Sequence, residues 1–308
     1  MTANIPQQTA RKKGITFRDI SPYLYILPSL ILFICFVFYP FVKTIVLSLS
    51  VTDNSGNIIG SAGFQNYVTA FSDKNMWGAI RITFKYAAMV VVGSIVMGTI
   101  CAILANEVFH GRAFVRTVYA MPMAISSACI AVIATFVLNP TMGVLNHLRG
   151  ALGLAPIDVY TDPRYWPLIL TIVNCWQGLG MGSMLYLSAL LGADPTVYEA
   201  AKIDGANRWQ QTLHVSVPVI VPILSLQLIL SVGGLFGGSF ELFYTIPRNV
   251  SVLYDTTDIL STYVMRGLQA GDYGRSSAVG LFQSVVGLIL ITGTNLVVKK
   301  ISPENSIF

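Results

Sequence analysis

Charged side chains are scarce in this chain, at 11% of its 308 residues, against about a quarter in soluble domains. With 54% of residues hydrophobic, the apolar excess has to face lipid or be buried on every side, which excludes an ordinary soluble fold. Histidine is also rare: His110, His147 and His214 stand far apart. Neither H-E-x-x-H nor G-x-S-x-G occurs, so the apparatus of a zinc or serine hydrolase is missing. The dipeptide Gly-Lys never occurs. A G-x-x-x-x-G-K-[ST] phosphate loop is therefore excluded, and the chain does not cradle ATP as a P-loop protein does. Four cysteines, Cys35, Cys101, Cys129 and Cys175, lie inside apolar stretches without C-x-x-C spacing. They read as packing thiols, not as a disulfide frame or metal site. No basic run is interleaved with aromatics, so the net charge of +5 reads as residues at membrane edges and not as a nucleic-acid surface.

What the chain has is long apolar runs. A run of about 20 residues spans a bilayer, and six spans are expected, over roughly 23–49, 82–106, 113–138, 166–191, 215–245 and 276–298. The fold class is thus an all-α polytopic membrane protein. The first run follows Arg11, Lys12, Lys13 and Arg18, but it is too long for a signal-peptide core and no small-x-small cleavage site follows. It reads as a retained span. Six spans place both termini on one side. With Arg112, Arg116, Lys202, Arg208, Lys299 and Lys300 on that side too, a weak positive-inside bias makes it the cytoplasmic one. The expected organisation is a cytoplasmic tail over 1–21, a transmembrane domain over 22–300 and a cytoplasmic tail over 301–308. The segment 247–275 is long enough for a small helix of its own. Gly178 with Gly182, and Gly234 with Gly238, have the small-xxx-small spacing of close helix packing.

The most informative stretch joins spans four and five: Asp194-Pro195-Thr196-Val197-Tyr198-Glu199-Ala200-Ala201-Lys202-Ile203-Asp204-Gly205-Ala206-Asn207-Arg208-Trp209. Asp194 before Pro195 is a helix start, although Thr196 and Glu199 form an alternative capping box. Gly205 suits the left-handed residue that closes a helix. The stretch predicts a short polar helix, a sharp turn and a second helix, exposed at the membrane surface. It is shaped either to dock in a groove on a partner or to serve as a plain connector.

Glu199-Ala200-Ala201, Asp204-Gly205-Ala206 and the later Val215-Ser216-Val217-Pro218 resemble the EAA loop (194–218 here) of permease subunits of binding-protein-dependent ABC importers. The pattern there is E-A-A-x-x-D-G-A, followed by I-x-L-P, for which this chain has valines at the two aliphatic positions. Gly63-Phe64-Gln65-Asn66-Tyr67, Gly111-Arg112-Ala113-Phe114 and the segment from Asp272 to Gly287 extend the resemblance over nearly the whole chain. The C-terminal matches, with Tyr263-Val264 and the ending Glu304-Asn305-Ser306-Ile307-Phe308, are similar to the polysaccharide-permease branch of the carbohydrate-uptake group. The resemblance implies a non-catalytic transport subunit for an oligosaccharide. Its expected partners are a second homologous permease, two cytoplasmic ATPase subunits that hold ATP and Mg, and an extracellular solute-binding protein. It also implies that Glu199, Ala200, Ala201, Asp204, Gly205, Ala206 and Arg208 form the coupling hairpin that meets the ATPase, with Glu199 and Arg208 in charged contacts.

Polar groups inside spans usually face the bundle interior or a cavity, and a sugar path needs hydrogen-bonding groups and aromatic faces. Asn174, Trp176, Gln177, Gln227, Phe240, Glu241, Tyr244 and Gln283, with Ser284 beside the last, are the candidates, set against a plain role in bonding helix to helix. The same architecture serving glycerol phosphate is the main rival, although the spans supply no arginine cluster for phosphate. An ion-coupled secondary transporter is a further rival, but no inverted repeat is visible and Glu241 is alone. A membrane-embedded enzyme lacks a catalytic constellation.

Overall fold

The computed structural model describes residues 17–107, 111–234, 240–301 and 303. Most of both expected tails, His110, Gly237 and Gly238 lie outside the described residues. The first apolar run forms α1 (Phe17–Phe33) and α2 (Tyr39–Ser48), joined by a π-helical segment, Ile34–Phe38. A small antiparallel pair follows, β1 (Ser50–Thr52) and β2 (Ile58–Ser61), with Ser50 opposite Ser61 and Val51 opposite Gly60. Next come α3 (Gln65–Ser72), α4 (Lys74–Glu107), α5 (Arg112–Ala124), α6 (Ser127–Leu138), α7 (Val144–Ala151) and α8 (Trp166–Gly192). The polar stretch forms α9 (Pro195–Ile203) and α10 (Arg208–Gln211). A second π segment, Thr212–Ser216, leads into α11 (Val217–Gly234). The chain then forms α12 (Phe240–Thr245), α13 (Tyr254–Thr257), α14 (Leu260–Gln269) and α15 (Tyr273–Ile301).

Among the described residues, five helical stretches are long and apolar enough to cross a membrane: Tyr25–Ser48, Lys74–Glu107, Pro163–Gly192, Arg208–Val232 and Tyr273–Lys300. The third expected span, 113–138, is not one straight helix. It is α5 and α6, bent by 95° at their junction. Each half is about 18–20 Å long at 1.5 Å per residue, too short to cross the bilayer alone. The break has local causes. Pro122 lies inside the last turn of α5, and the Ser126 side chain accepts the Cys129 N–H at 3.3 Å to start α6. Within the expected fifth span, 215–245, α11 is described to Gly234 and α12 from Phe240, and α12 packs on α6.

Both π segments end two residues before a proline, Pro40 and Pro218. Proline has no N–H to close the i→i−4 ring, and its own ring crowds that carbonyl. A widened turn relieves the crowding while the helix continues.

Helix α4 has 34 residues, about 51 Å at 1.5 Å per residue, and so overshoots the roughly 30 Å hydrocarbon core by about 20 Å. Its Lys74 end rises into a folded layer opposite the α9–α10 hairpin. There Trp166, Val159, Leu242, Ile246 and Leu253 form the main core, and the Trp166 indole donates to the Val159 carbonyl at 2.6 Å. Ion pairs brace this layer. Arg266 grips Asp258 with two hydrogen bonds and lies 3.9 Å from the Tyr254 ring centre. Tyr263 donates to Asp73 at 2.6 Å, and Arg275 bonds Asp272 at 2.7 Å with Asp73 close by. Burial acts to raise the Asp73 pKa, but hydrogen bonds from Tyr263 and Asn75 and the charge on Arg275 outweigh it and hold the carboxyl below its usual value.

A close helix contact falls on Gly180, and not on Gly178 or Gly234. A Cβ on Gly180 would lie 2.7 Å from the Tyr119 carbonyl oxygen and 2.9 Å from Ala120 Cα, both backbone, whereas one on Gly178 or Gly234 would have nothing within 4 Å. Gly180 is thus where α8 meets α5. The expected outcome is that Gly180→Ala destabilises the chain by about 1–3 kcal/mol through overpacking. Gly178→Ala should be neutral or stabilising by up to about 1 kcal/mol through helix propensity. Thermal unfolding in detergent compares the two.

Candidate functional site

The polar hairpin begins where Asp194 accepts the Thr196 N–H at 2.9 Å, so Asp194 and not Thr196 caps α9. Hydrogen bonds from Thr196 hold the Asp194 carboxyl below its ordinary pKa, so this cap is ionised throughout the neutral range. The helix closes on Gly205, which sits at φ +80°. The Ala206 N–H donates to the Ala201 carbonyl at 2.9 Å and the Gly205 N–H to the Lys202 carbonyl at 3.1 Å. Those two bonds make a Schellman closure and satisfy carbonyls that the helix end would leave unpaired. Asn207 and Gln210 then form a capping box that starts α10. The turn is tied back on itself, because Gln211 Nε2 donates to the Ala206 carbonyl at 2.8 Å and the Tyr198 and Ser216 hydroxyls lie 3.1 Å apart.

On this frame Glu199, Ala200, Asp204 and Gly205 are exposed, and Ala201 and Ala206 half-buried. Ile203 is 86% exposed and Trp209 69%, an apolar pair on a hairpin whose own core does not use them. Arg208, expected to face an outside partner, bonds Glu107 at the end of α4 at 2.8 Å.

Between the hairpin and the opposite layer lies a cavity of about 270 Å³. Helix α4 supplies Thr83, Tyr86 and Ser94, α8 supplies Gly178, Gly182 and Tyr186, and α11 supplies Gln227, Ser231 and Gly234. Phe243 of α12 and Ile259 bound it on the side away from the hairpin. Tyr86 packs edge-on against Phe243, 4.5 Å between ring centres, and donates to the Thr256 carbonyl at 2.8 Å. The lining is mostly apolar, with Ala87, Val90, Val91 and Ile259 beside the aromatic rings, and its polar groups are hydroxyls and one amide, with no charged side chain among the described residues.

Of the candidate path residues, Gln227 alone lines this cavity. Asn174 is buried and donates to the Leu170 carbonyl at 2.9 Å, Trp176 faces outward and Gln177 is half-buried. Phe240 stacks on Tyr244, which bonds Gln269 at 2.8 Å, and Glu241 is exposed. Gln283 donates to Ser261 at 3.2 Å. The amino-acid order does not single out Thr83, Ser94 and Ser231, and Gly178 with Gly182, whose spacing suits close packing, leave space for the cavity instead. The available signal was small and hydroxyl residues at three- and four-residue spacing on three spans, Thr83–Tyr86–Ala87, Gly178–Gly182–Tyr186 and Gln227–Ser231–Gly234.

Comparison with known proteins decides the family, since residues 94–304 match the "Binding-protein-dependent transport system inner membrane component" family. The chain belongs to it. This transport permease is 29% identical to the polygalacturonan/rhamnogalacturonan transport system permease protein YteP of Bacillus subtilis, over 92% of this chain and 88% of that one. It is 26% identical to the sn-glycerol-3-phosphate transport system permease protein UgpA of Salmonella choleraesuis, over 88% of this chain and 90% of that one. Its fold matches a chain of a bacterial alginate ABC transporter, crystallised in complex with an alginate pentasaccharide-bound periplasmic protein, with a TM-score of 0.83 and 29% identity, covering 92% and 96% of the two chains. The permease is a membrane transport subunit and not itself an enzyme.

Gly205 ties sequence to geometry in the hairpin. With nothing within 4 Å of an added Cβ, the only cost of Gly205→Ala is the left-handed backbone, about 1–2 kcal/mol. Gly205→Asn should cost less, because asparagine visits that region more readily. Amide hydrogen exchange over 195–206 is expected to quicken in the order Gly, Asn, Ala.

Proposed function

We propose that this permease forms half of the membrane channel of an ABC importer for an oligosaccharide, driven through the α9–α10 hairpin by separate ATPase subunits. The supporting observation is a rigid, doubly capped hairpin whose exposed apolar side chains, Ile203 and Trp209, are left free by its own fold. In this reading the hairpin faces the cytoplasm, as do both termini, and the membrane is the bacterial cytoplasmic membrane. Glu199, Ala200, Ala201, Asp204, Gly205 and Ala206 shape the docking element. ATP and Mg are held by the ATPases. A second homologous permease completes the path, and a solute-binding protein delivers the sugar at the braced layer around Asp73, Asp258 and Arg266.

The saccharide assignment rests on the relatives named for polygalacturonan and alginate transport and on the cavity lining. Ser94, Ser231 and Gln227 bring polar groups for sugar hydroxyls, while Tyr86, Tyr186 and Phe243 bring aromatic rings; the Thr83 hydroxyl is already bonded to Ala79 and Leu260. A glycerol phosphate substrate, suggested by the likeness to UgpA, would bring a dianion into a cavity without a lysine or arginine in its lining, which is costly in a low-dielectric site. The remaining path residues, Asn174, Trp176, Gln177, Phe240, Glu241, Tyr244 and Gln283, lie off this cavity. Of these, the outward-facing Trp176 and Glu241 are available to the face shared with the second permease.

Ile203→Glu tests the coupling. At 86% exposure the side chain has little of its own fold to disturb, so the variant should insert and keep its thermal stability within about 0.5 kcal/mol. Co-purification of the ATPase and sugar uptake should both be lost, since a buried unpaired carboxylate at an interface is heavily penalised. Undiminished uptake by Ile203→Glu would overturn the proposal.

A further inference from the structure

Helices α8 and α11, two walls of the central cavity, continue directly into the hairpin through the chain. The third wall, α4, has no such connection, yet its last residue reaches the hairpin. Glu107 Oε2 accepts from Arg208 Nη1 at 2.8 Å, and Glu107 lies 13 residues, about 20 Å of helix, beyond the cavity residue Ser94. The pair does not sit in a packed seam. It lies at a cavity of about 340 Å³ that separates Asn106 and Glu107 from Pro195, Tyr198, Glu199 and Lys202. Both side chains remain largely solvated, at 68% and 47% exposure.

We infer that the Glu107–Arg208 pair is a state-selective latch, holding α4 to the coupling hairpin in the conformation seen here and parting when the hairpin moves. This rests on the proposed ATP-driven function and names a positioning pair within it. Three features converge on that role. Arg208 belongs to the moving element and Glu107 to a cavity wall that otherwise meets that element only indirectly, through its packing on α8. The space around the pair leaves the two parts room to separate. An exposed ion pair is strong enough to bias a two-state equilibrium by a few-fold, yet too weak to lock it. In the same conformation Tyr86 of α4 is fixed to Phe243 and to the Thr256 carbonyl, so the latch joins the hairpin to the helix that braces the opposite side of the cavity.

The test uses the assembled complex in lipid, with ATP hydrolysis measured with and without the solute-binding protein. Glu107→Arg and Arg208→Glu should each raise hydrolysis in the absence of binding protein by about two- to fivefold, the range an exposed pair supports. The doubly exchanged variant, Glu107→Arg with Arg208→Glu, should restore the unstimulated rate. Added salt should narrow the gap between wild type and the single variants, because it screens the pair. Single variants with unchanged unstimulated hydrolysis, or an exchange as uncoupled as either single, would overturn the latch while the importer reading stands. A wild-type chain that recruits no ATPase would remove both.

Discussion

Every peptide group of a membrane-spanning segment has to find a hydrogen-bond partner within the protein, because the hydrocarbon core offers none. In this chain the constraint governs where helices run and also where they are allowed to fail. Pro40 and Pro218 sit in spans without ending them, since a π turn ahead of each keeps the backbone bonded around the missing donor. At Pro122 the chain gives up continuity and bends by 95°, but Ser126 immediately caps the new helix. The hairpin obeys the same accounting in water, with Asp194 at its start and the two bonds across Gly205 at its turn. Rigidity there is a by-product of complete satisfaction, and a rigid element is the one kind that can pass displacement between two bodies.

The central cavity follows from the complementary choice of leaving volume unfilled. Densely packed interiors contain few voids, so a cavity of about 270 Å³ among three helices needs side chains too small to reach across. Gly178, Gly182 and Gly234 supply that, while Gly93, Gly98 and Gly180, which a Cβ would bring under 3.0 Å of a neighbour, do the opposite work of drawing helices together. One residue type therefore serves two ends on the same helix, two positions apart. On α8 the face carrying Gly180 meets α5, and the face carrying Gly178 and Gly182 opens on the cavity.

That division explains what could be read from the amino-acid order and what could not. The spans were legible because apolar length is a one-dimensional property, and so were the hairpin caps, because Asp-Pro and Asp-Gly-Ala act on their own neighbours. The bend between α5 and α6 was less so, because a 95° turn leaves no trace in the hydrophobicity of the run that contains it. The path residues were the least legible. Amides such as Asn174 and Gln283 look like ligands for a substrate in a linear reading, but they bond to the protein itself, Asn174 to its own helix and Gln283 to Ser261. Besides Gln227, aromatic rings and aliphatic side chains, the cavity is faced by threonine, serine and glycine, which carry no distinctive mark in a membrane helix. Which glycine packs and which opens depends on the neighbour opposite, and no local pattern encodes that.

The placement of charge completes the physical picture. The ion pairs among the described residues lie at the two ends of the bundle. Those at the braced layer, Asp258 with Arg266 and Asp73 with Tyr263 and Arg275, are half-buried and multiply bonded, as suits a platform that keeps its shape. The pair at the hairpin end, Glu107 with Arg208, is singly bonded and solvated, as suits a contact that is made and broken. The middle holds a cavity with no charge in its lining. A fixed charge there would bind a counter-charged solute tightly and slow its release, whereas hydroxyls and ring faces give many weak contacts that a sugar can exchange one at a time. A multiply bonded platform, a passage without charge in its described lining and a single solvated ion pair at the hairpin end thus divide the charged side chains by how firmly each is held.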